Sequence, residues 1–407
     1  MTSGTMPFKP TFWRTFAALT LLAGAAATWL RVTRGLGPST HLSDQFPWGL
    51  WIGFDILCGV GLAAGGFTLA AIVHIFHIRR FEPILRPAIL TAFLGYLLVI
   101  VGLLFDLGRP WSVWHALIMW NPHSVMFEVA WCVMLYTTVL ALEFAPVVLE
   151  RFRLFRAMRI LSRISIVLII TAGVLLSTLH QSSLGSLFLI VPGKLYPLWY
   201  SPYLPVFFFL SAVGAGCAMI ILESFLSSRA FGRGLEMELL TEIGRVCVVA
   251  LGVYLVMKVV DLAYRDAFPL LLLARKETWL YWAELLVGVV APFLLLSRSR
   301  VRENPTGLFA CAVMVVVGFV ANRLNISITG MEASAGVSYF PKWSEIAITM
   351  SIVTLGFIAF GLAARYLPIF SHVEPMPEPS RPNWEAELHA ASREEPQGGL
   401  RGLLVAE

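Results

Sequence analysis

Ten runs of about twenty apolar residues, near 12–31, 48–76, 88–107, 124–148, 158–180, 203–226, 241–264, 279–296, 306–323 and 344–367, limit what this chain can fold into. A helix rising 1.5 Å per residue needs ~20 residues to cross a hydrocarbon core, whereas a membrane barrel would show alternating segments of about ten. Only 14% of the 407 residues are charged and 58% are hydrophobic, against roughly a quarter charged in ordinary soluble domains. The sequence therefore predicts an all-α polytopic membrane protein with about ten transmembrane helices. The net charge of +5 is spread over short loops. No long basic run of the kind that engages nucleic acid is present.

The loops after the second, fourth, sixth and eighth runs carry Arg79, Arg80 and Arg86; Arg151, Arg153, Arg156 and Arg159; Arg229 and Arg233; and Arg298, Arg300 and Arg302. The opposite loops are longer and less basic, so the positive-inside rule places both termini in the cytoplasm and the 106–131 rim on the outside. The apolar run that follows Lys9 and Arg14 exceeds the core of a cleaved signal and reads as a retained first helix. Residues 371–407, proline-rich and acidic, have too little apolar surface for a core and read as a disordered cytoplasmic tail, with a short helix near 384–391. Cys58, Cys132, Cys217, Cys247 and Cys311 stand singly, and no CxxC or CxxCH occurs, so they read as small buried hydrophobes.

An internal repeat orders the runs. The third ends in Asp106-Leu-Gly-Arg109 and the seventh in Asp261-Leu-Ala-Tyr-Arg265, and each is followed, 22 or 23 residues after its Asp, by Glu128 or Glu284. The second and sixth both carry small-residue ladders, around Gly59–Gly66 and Gly214–Gly216. This predicts two parallel four-helix units, 48–202 and 203–343, preceded by 1–47 and followed by a final span, 344–370, and the tail, 371–407. The first unit is expected to bear the site.

Residues 106–131, DLGRPWSVWHALIMWNPHSVMFEVAW, are the densest concentration of chemistry in the chain. They sit at the outer membrane rim, where tryptophan is favoured and ionisable groups are costly. Trp111, Trp114, Trp120 and Trp131 read most simply as an aromatic belt. By helical rise, Asp55, Glu128, Lys258 and Glu284 lie roughly 6 to 10 Å below that rim, with Asp106 and Asp261 at the span ends. Several charges in one layer require mutual pairing, a polar cavity, or both. Lys258 with Asp261, and Asp106 with Arg109, have the spacing for local pairs; Asp55, Glu128 and Glu284 have no helical neighbour of opposite sign.

His115 and His123 lie in the rim, and His180 is expected at the outer end of the fifth span; each is either an interfacial histidine satisfied by water or a proton donor to a quinone carbonyl. His74 and His77, i and i+3 on one helix, are not opposed haem ligands. Glu143 and Glu223, deep on the cytoplasmic side, are either steps of a proton path or snorkelling side chains. Tyr96, Asn322 and Arg323 offer further hydrogen bonds.

WGLWIGFDILCGVGLAAGG, LTAFLGYLLVIVGLLFDLGRPW and MWNPHSVMFEVAWCVMLYTTVLALEF resemble the NrfD/polysulfide-reductase family of quinone-interacting membrane subunits, most closely its hydrogenase-associated, HybB-like branch. The likeness is dense over 48–150 and looser, in DLAYRD and ANRLN, out to 368. It implies a module without haem or iron–sulfur cluster that exchanges electrons between the quinone pool, menaquinone or ubiquinone, and a periplasmic iron–sulfur subunit. That partner would serve a catalytic subunit, in this branch a nickel–iron hydrogenase. Carried over by motif, the family positions are Asp55, Asp106, Arg109, His123 and Glu128, with Glu223 and Lys258 less securely placed. The full expectation is proton chemistry by Glu128, His123, Asp106 and Asp55. Quinone contacts are expected from Arg109, His115, Trp120, Asn121, Tyr96 and His180, and a proton path from Glu143, Glu223, Lys258, Asp261 and Glu284; no metal ligand set is expected.

Two other classes compete. A secondary transporter also suits parallel repeats and mid-membrane charges, though the charges cluster toward one face without a broken-helix pair. A di-haem cytochrome b needs facing histidine pairs, for which the chain has too few membrane histidines at matched depth.

Overall fold

The computed structural model describes residues 10–154, 156–157, 160–161, 173–190 and 193–370. All regular structure in them is helical, and nine helices are long and apolar enough to cross a membrane. We number the long helices α1 (Pro10–Arg34), α2 (Trp51–Ile75), α3 (Arg79–Asp106), α4 (Val125–Arg151), α5 (Val174–Ser186), α6 (Leu204–Phe231), α7 (Met237–Tyr264), α8 (Lys276–Leu296), α9 (Pro305–Ala335) and α10 (Trp343–Tyr366). Nine of the ten expected spans are these helices other than α5. Of the expected fifth span, 158–180, residues 162–172 lie outside the described residues, as does the tail with its expected short helix.

Apolar residues all round a helix let it be buried on every side, and α2 is the case in point. In its most apolar stretch 83% of residues are covered by protein, against 17% in α1. α2 is therefore the hub: α3, α6 and α9 pack on it, and α5 reaches it through the Gln181 amide, which donates to the Val60 carbonyl at 3.1 Å. The second set closes as a ring, α6 on α7 and α9, α8 on α7 and α9. α1 pairs with α10, which lies against α3, and α1 itself reaches the end of α3 through Arg31. Two crossings need glycine. A Cβ on Gly216 of α6 would come within 2.7 Å of the Ala64 carbonyl carbon of α2, and one on Gly318 of α9 within 2.0 Å of Gly288 Cα of α8.

Two helices run past their expected ends. α5 continues beyond His180 to Ser186 because Ser182, Ser183 and Ser186 donate their hydroxyls to their own helix's carbonyls. α9 continues beyond Arg323 through a widened, π-helical turn, Asn325–Thr329, whose polar side chains bond inward. Similar π-helical stretches occur at Trp51–Cys58 and Leu286–Val290. Such turns rotate the following side chains relative to a regular helix and often mark functional sites.

Candidate functional site

The polar residues fall into three buried groups and one exposed rim. The first group is an acid pair at the N-terminal end of α2 and the C-terminal end of α3. Asp55 lies on the π-helical stretch of α2, buried, and its Oδ2 accepts the Thr349 hydroxyl of α10 at 2.8 Å. Gly102 of α3 admits it closely, since a Cβ there would stand 2.8 Å from Asp55 Cβ. Asp106, one turn after Gly102, is near enough for the two carboxyl groups to interact electrostatically, and its Oδ1 is buried with no hydrogen-bond partner.

The expected pairing of Asp106 with Arg109 is not made; Arg109 is exposed. Arg31 of α1 takes that place, donating from Nε to the Phe105 carbonyl at 2.9 Å and from Nη2 to the Leu107 carbonyl at 2.7 Å. These carbonyls are left without helical partners where α3 ends, so a guanidinium there satisfies them and meets the negative end of the helix dipole. Its charge also acts on Asp106. Nearby Glu345 is fully buried but saturated: Oε1 accepts the Tyr339 hydroxyl at 2.5 Å, and Oε2 the N–H groups of Lys342 and His41 at 2.8 and 3.0 Å. Burial and this carboxylate push the Tyr339 hydroxyl, in the loop before α10, well above the usual phenol range. Asp55 and Asp106 together have one hydroxyl donor where Glu345 has three donors.

The second group occupies the ring of α6 to α9. Asp261 does not pair with Lys258; its Oδ2 takes Nη2 and Nε of Arg265 at 2.7 and 3.1 Å, and its Oδ1 the Ser201 hydroxyl at 2.6 Å. A guanidinium at i+4 presents two N–H groups to one carboxylate, which an ammonium at i−3 does not match. Glu284 accepts three N–H donors: Trp199 Nε1 and Asn322 Nδ2 on Oε1, both at 2.9 Å, and Asn325 Nδ2 on Oε2 at 2.6 Å. Arg323, 1% exposed, lies 3.6 and 4.4 Å from the ring centroids of Phe208 and Phe319 and bonds Asn322, Ser211 and the Phe208 carbonyl. Lys258 Nζ stands 4.5 Å over the Phe207 ring, and with Glu284 and Asn322 it lines a cavity of about 30 Å³, room for one water. Cys58, buried between the first two groups, is within electrostatic reach of both Asp55 and Arg323.

The third group lies among α3, α4 and α5. His180 is not a rim residue: it is fully buried, and its Nδ1 is 2.9 Å from the Tyr96 hydroxyl, with Nε2 unpartnered. The Tyr96 and Tyr136 rings meet at 4.7 Å, and Tyr136 lines a small cavity with Glu143 and His74 toward the C-terminal end of α2. Glu223 borders a separate cavity with Thr91, Gly65 and Gly66.

At the rim, Trp120 packs on Trp131 at 4.7 Å and His115 on Trp114 at 4.2 Å. Asn121 and His123 are exposed, and Glu128 is half-buried in the first turn of α4. Among the described residues no hydrogen bond or ion pair joins Glu128, His123, His115, Trp120, Asn121 or Arg109 to the acid pair. Nor do they hold a group of three or more His, Cys, Asp or Glu able to bind a metal ion. Sequence reasoning did not single out Arg31, Thr349, Glu345, Trp199 or Asn325 as site residues. Asn325 lay within the noted ANRLNIS stretch, and Arg31 was visible as a basic residue at a span end; the others left no signal, because their partners are far away in the chain.

The profile of the family described as "Polysulphide reductase, NrfD" matches residues 38–334. A protein of Nitratidesulfovibrio vulgaris is 40% identical over 360 residues, 86% of this chain and 92% of its own length. The chain belongs to the NrfD family. Other members include the "Probable Ni/Fe-hydrogenase 2 b-type cytochrome subunit" of Escherichia coli, 35% identical over 83% of this chain and 87% of that one. The "Menaquinone reductase, integral membrane subunit" of N. vulgaris is 30% identical over 88% and 91%. The matched region spans every residue of the acid pair and ion cluster except Thr349, Arg31 and Glu345, which come from the flanking helices α1 and α10.

Proposed function

We propose that this NrfD-family chain is the membrane-anchoring, quinone-reactive subunit of a periplasm-facing respiratory oxidoreductase complex. It passes electrons between a partner's iron–sulfur centre and the menaquinone or ubiquinone pool. The observation that carries this reading is the acid pair. Reducing a quinone to a quinol takes two electrons and two protons; Asp55 and Asp106 offer two adjacent carboxyl groups, engaged by a single hydroxyl, with Asp106 Oδ1 left open. The electrons come from the partner, and this chain supplies the proton-handling groups. His123 and Glu128 belong to the same reading as groups on the outer approach, with Arg109, His115, Trp120 and Asn121 bordering it.

The names of the two relatives support a quinone-linked respiratory role, and that of the E. coli protein supports a nickel–iron hydrogenase as the catalytic partner. The reading includes proton movement: Glu143 and Glu223 on the cytoplasmic side, and the ion cluster of Lys258, Asp261 and Glu284 in the second unit. It places the chain in the bacterial inner membrane with both termini in the cytoplasm. It holds the chain to be free of haem: His74 is on the last turn of α2, His77, expected on the same helix, instead lies past its end in the loop before α3 with a left-handed backbone, and His180 is engaged by Tyr96.

The test is electron transfer in the complex isolated in mild detergent. Asp106→Asn and Asp55→Asn should abolish quinone-linked turnover while reduction of an artificial dye by the catalytic subunit continues. Normal quinone-linked rates in both variants would remove the pair from the reaction. Co-purification identifies the partner, and a reduced-minus-oxidised optical spectrum of the purified chain decides the haem question.

A further inference from the structure

We infer that in the ion cluster of the second unit Lys258 is the group that exchanges a proton, and that Glu284 is its fixed counter-charge. This rests on the proposed role of that cluster in proton movement, and divides the roles within it.

Hydrogen-bond inventory separates the two residues. Glu284 receives three N–H donors from Trp199, Asn322 and Asn325, spread over both its oxygens. All three partners are N–H groups, which cannot accept a hydrogen bond from a carboxyl proton. Asp261 is occupied likewise, by Ser201 and by both nitrogens of Arg265. Lys258 is the opposite case: its ammonium makes no hydrogen bond or salt bridge among the described residues and rests on the Phe207 ring, with Tyr254 and Tyr281 at 6.0 and 5.8 Å. Lys258 and Glu284 both line the water-sized cavity, which gives a proton a way on and off, so the hydrogen-bond inventory is what separates them.

Charge balance agrees. The charged groups that face Lys258 are Asp261 and Arg265 of α7 and the segment after it, Glu284 of α8 and Arg323 of α9; α6 contributes only Phe207 and Ser211. Two carboxylates oppose the two guanidinium groups of Arg265 and Arg323, so the cluster is neutral when Lys258 is neutral and carries one surplus positive charge when it is protonated. Arg323 does not give up its proton in this range. With Glu284 held by its donors, the variable charge belongs to Lys258. Protonation adds one hydrogen ion to Nζ from the cavity water, and deprotonation returns it there; no other bond changes.

The experiment is pH-difference infrared spectroscopy on the full chain in lipid nanodiscs, which needs no quinone turnover and so stays readable if the quinone reading fails. The expected result is a lysine ammonium deformation band in the wild-type difference spectrum that is lost in Lys258→Met. No protonated-carboxyl band should be lost in Glu284→Gln. A protonated-carboxyl band that Glu284→Gln abolishes, or an ammonium band that Lys258→Met leaves unchanged, overturns the assignment. Should Glu284→Gln fail to fold, Lys258→Met alone decides, because the neutral state it imitates leaves the remaining charges balanced.

Discussion

The contact between Gly288 of α8 and Gly318 of α9 couples helix packing to the ion cluster, and one methyl group tests that coupling. A Cβ built on Gly318 would lie 2.0 Å from Gly288 Cα and 2.9 Å from Gly288 N. Both atoms are backbone, so no side chain can swing away. Restoring an ordinary contact of 3.4 Å requires the helices to part by 3.4 − 2.0 = 1.4 Å. Glu284 lies four residues before Gly288 and Asn322 four residues after Gly318, so the same separation would stretch their 2.9 Å hydrogen bond toward 4.3 Å, past hydrogen-bonding range. Overpacking costs about 1–3 kcal/mol, and a lost hydrogen bond to a buried charged group about 1.5–3 kcal/mol more. Gly318→Ala should therefore destabilise the chain by ~2.5–6 kcal/mol. Titration with sodium dodecyl sulfate in mixed micelles measures this against Gly361→Ala, where a Cβ meets nothing within 4 Å. The control should be neutral or stabilising by up to about 1 kcal/mol, because alanine is the better helix former. If the two variants unfold alike, the close crossing does not set the geometry of the cluster.

Three further outcomes are expected. Thr349→Val keeps the side-chain shape but removes the one hydroxyl that engages Asp55, so quinone-linked turnover of the complex should fall about tenfold for ~1.4 kcal/mol of lost interaction while dye reduction persists; an unchanged rate would free Asp55 of its dependence on α10. Glu128→Gln should assemble yet lose most coupled activity, with Glu128→Asp retaining part of it, and full activity in the Gln variant would leave Glu128 a packing role. Reporter fusions after Arg86 and Arg302 should score cytoplasmic and those after Trp120 and Tyr200 periplasmic; a periplasmic score after Arg86 would invert the sidedness on which the quinone site rests.

Hydropathy made the long helices legible, because continuous apolar runs of membrane length have few other folds open to them. It failed where polar residues continue a helix. His180 seemed to close a span, yet Ser182 and Ser183 satisfy themselves on their own helix and the Gln181 amide donates to the Val60 carbonyl; the Asn325–Thr329 turn seemed to lie beyond a span, yet its Asn325 amide reaches Glu284. A hydropathy sum registers a polar side chain as wet when it is paired indoors. Spacing also misjudged partners. Lys258 with Asp261, and Asp106 with Arg109, look paired along one helix, but Arg265 offers Asp261 two N–H groups and Arg31 arrives beside Asp106 from 75 residues upstream. The sequence placed Asp55, Lys258 and Glu284 at similar depth without showing that they divide between two groups, since a depth along a helix carries no azimuth.

The Arg323 guanidinium, clasped between Phe208 and Phe319 beside Cys58, has a consequence for small cations. It is a permanent positive charge held where the two helical sets meet, and among the described residues no carboxylate lies in ion-pair contact with it, Asp261 and Glu284 balancing it only across the cluster. A hydronium ion passing at 5 Å would meet a repulsion of about 3 kcal/mol at an effective dielectric of 20, enough to slow its passage by about a hundredfold. For the proton movement proposed above, a fixed cation at the seam would oppose leakage without narrowing any channel.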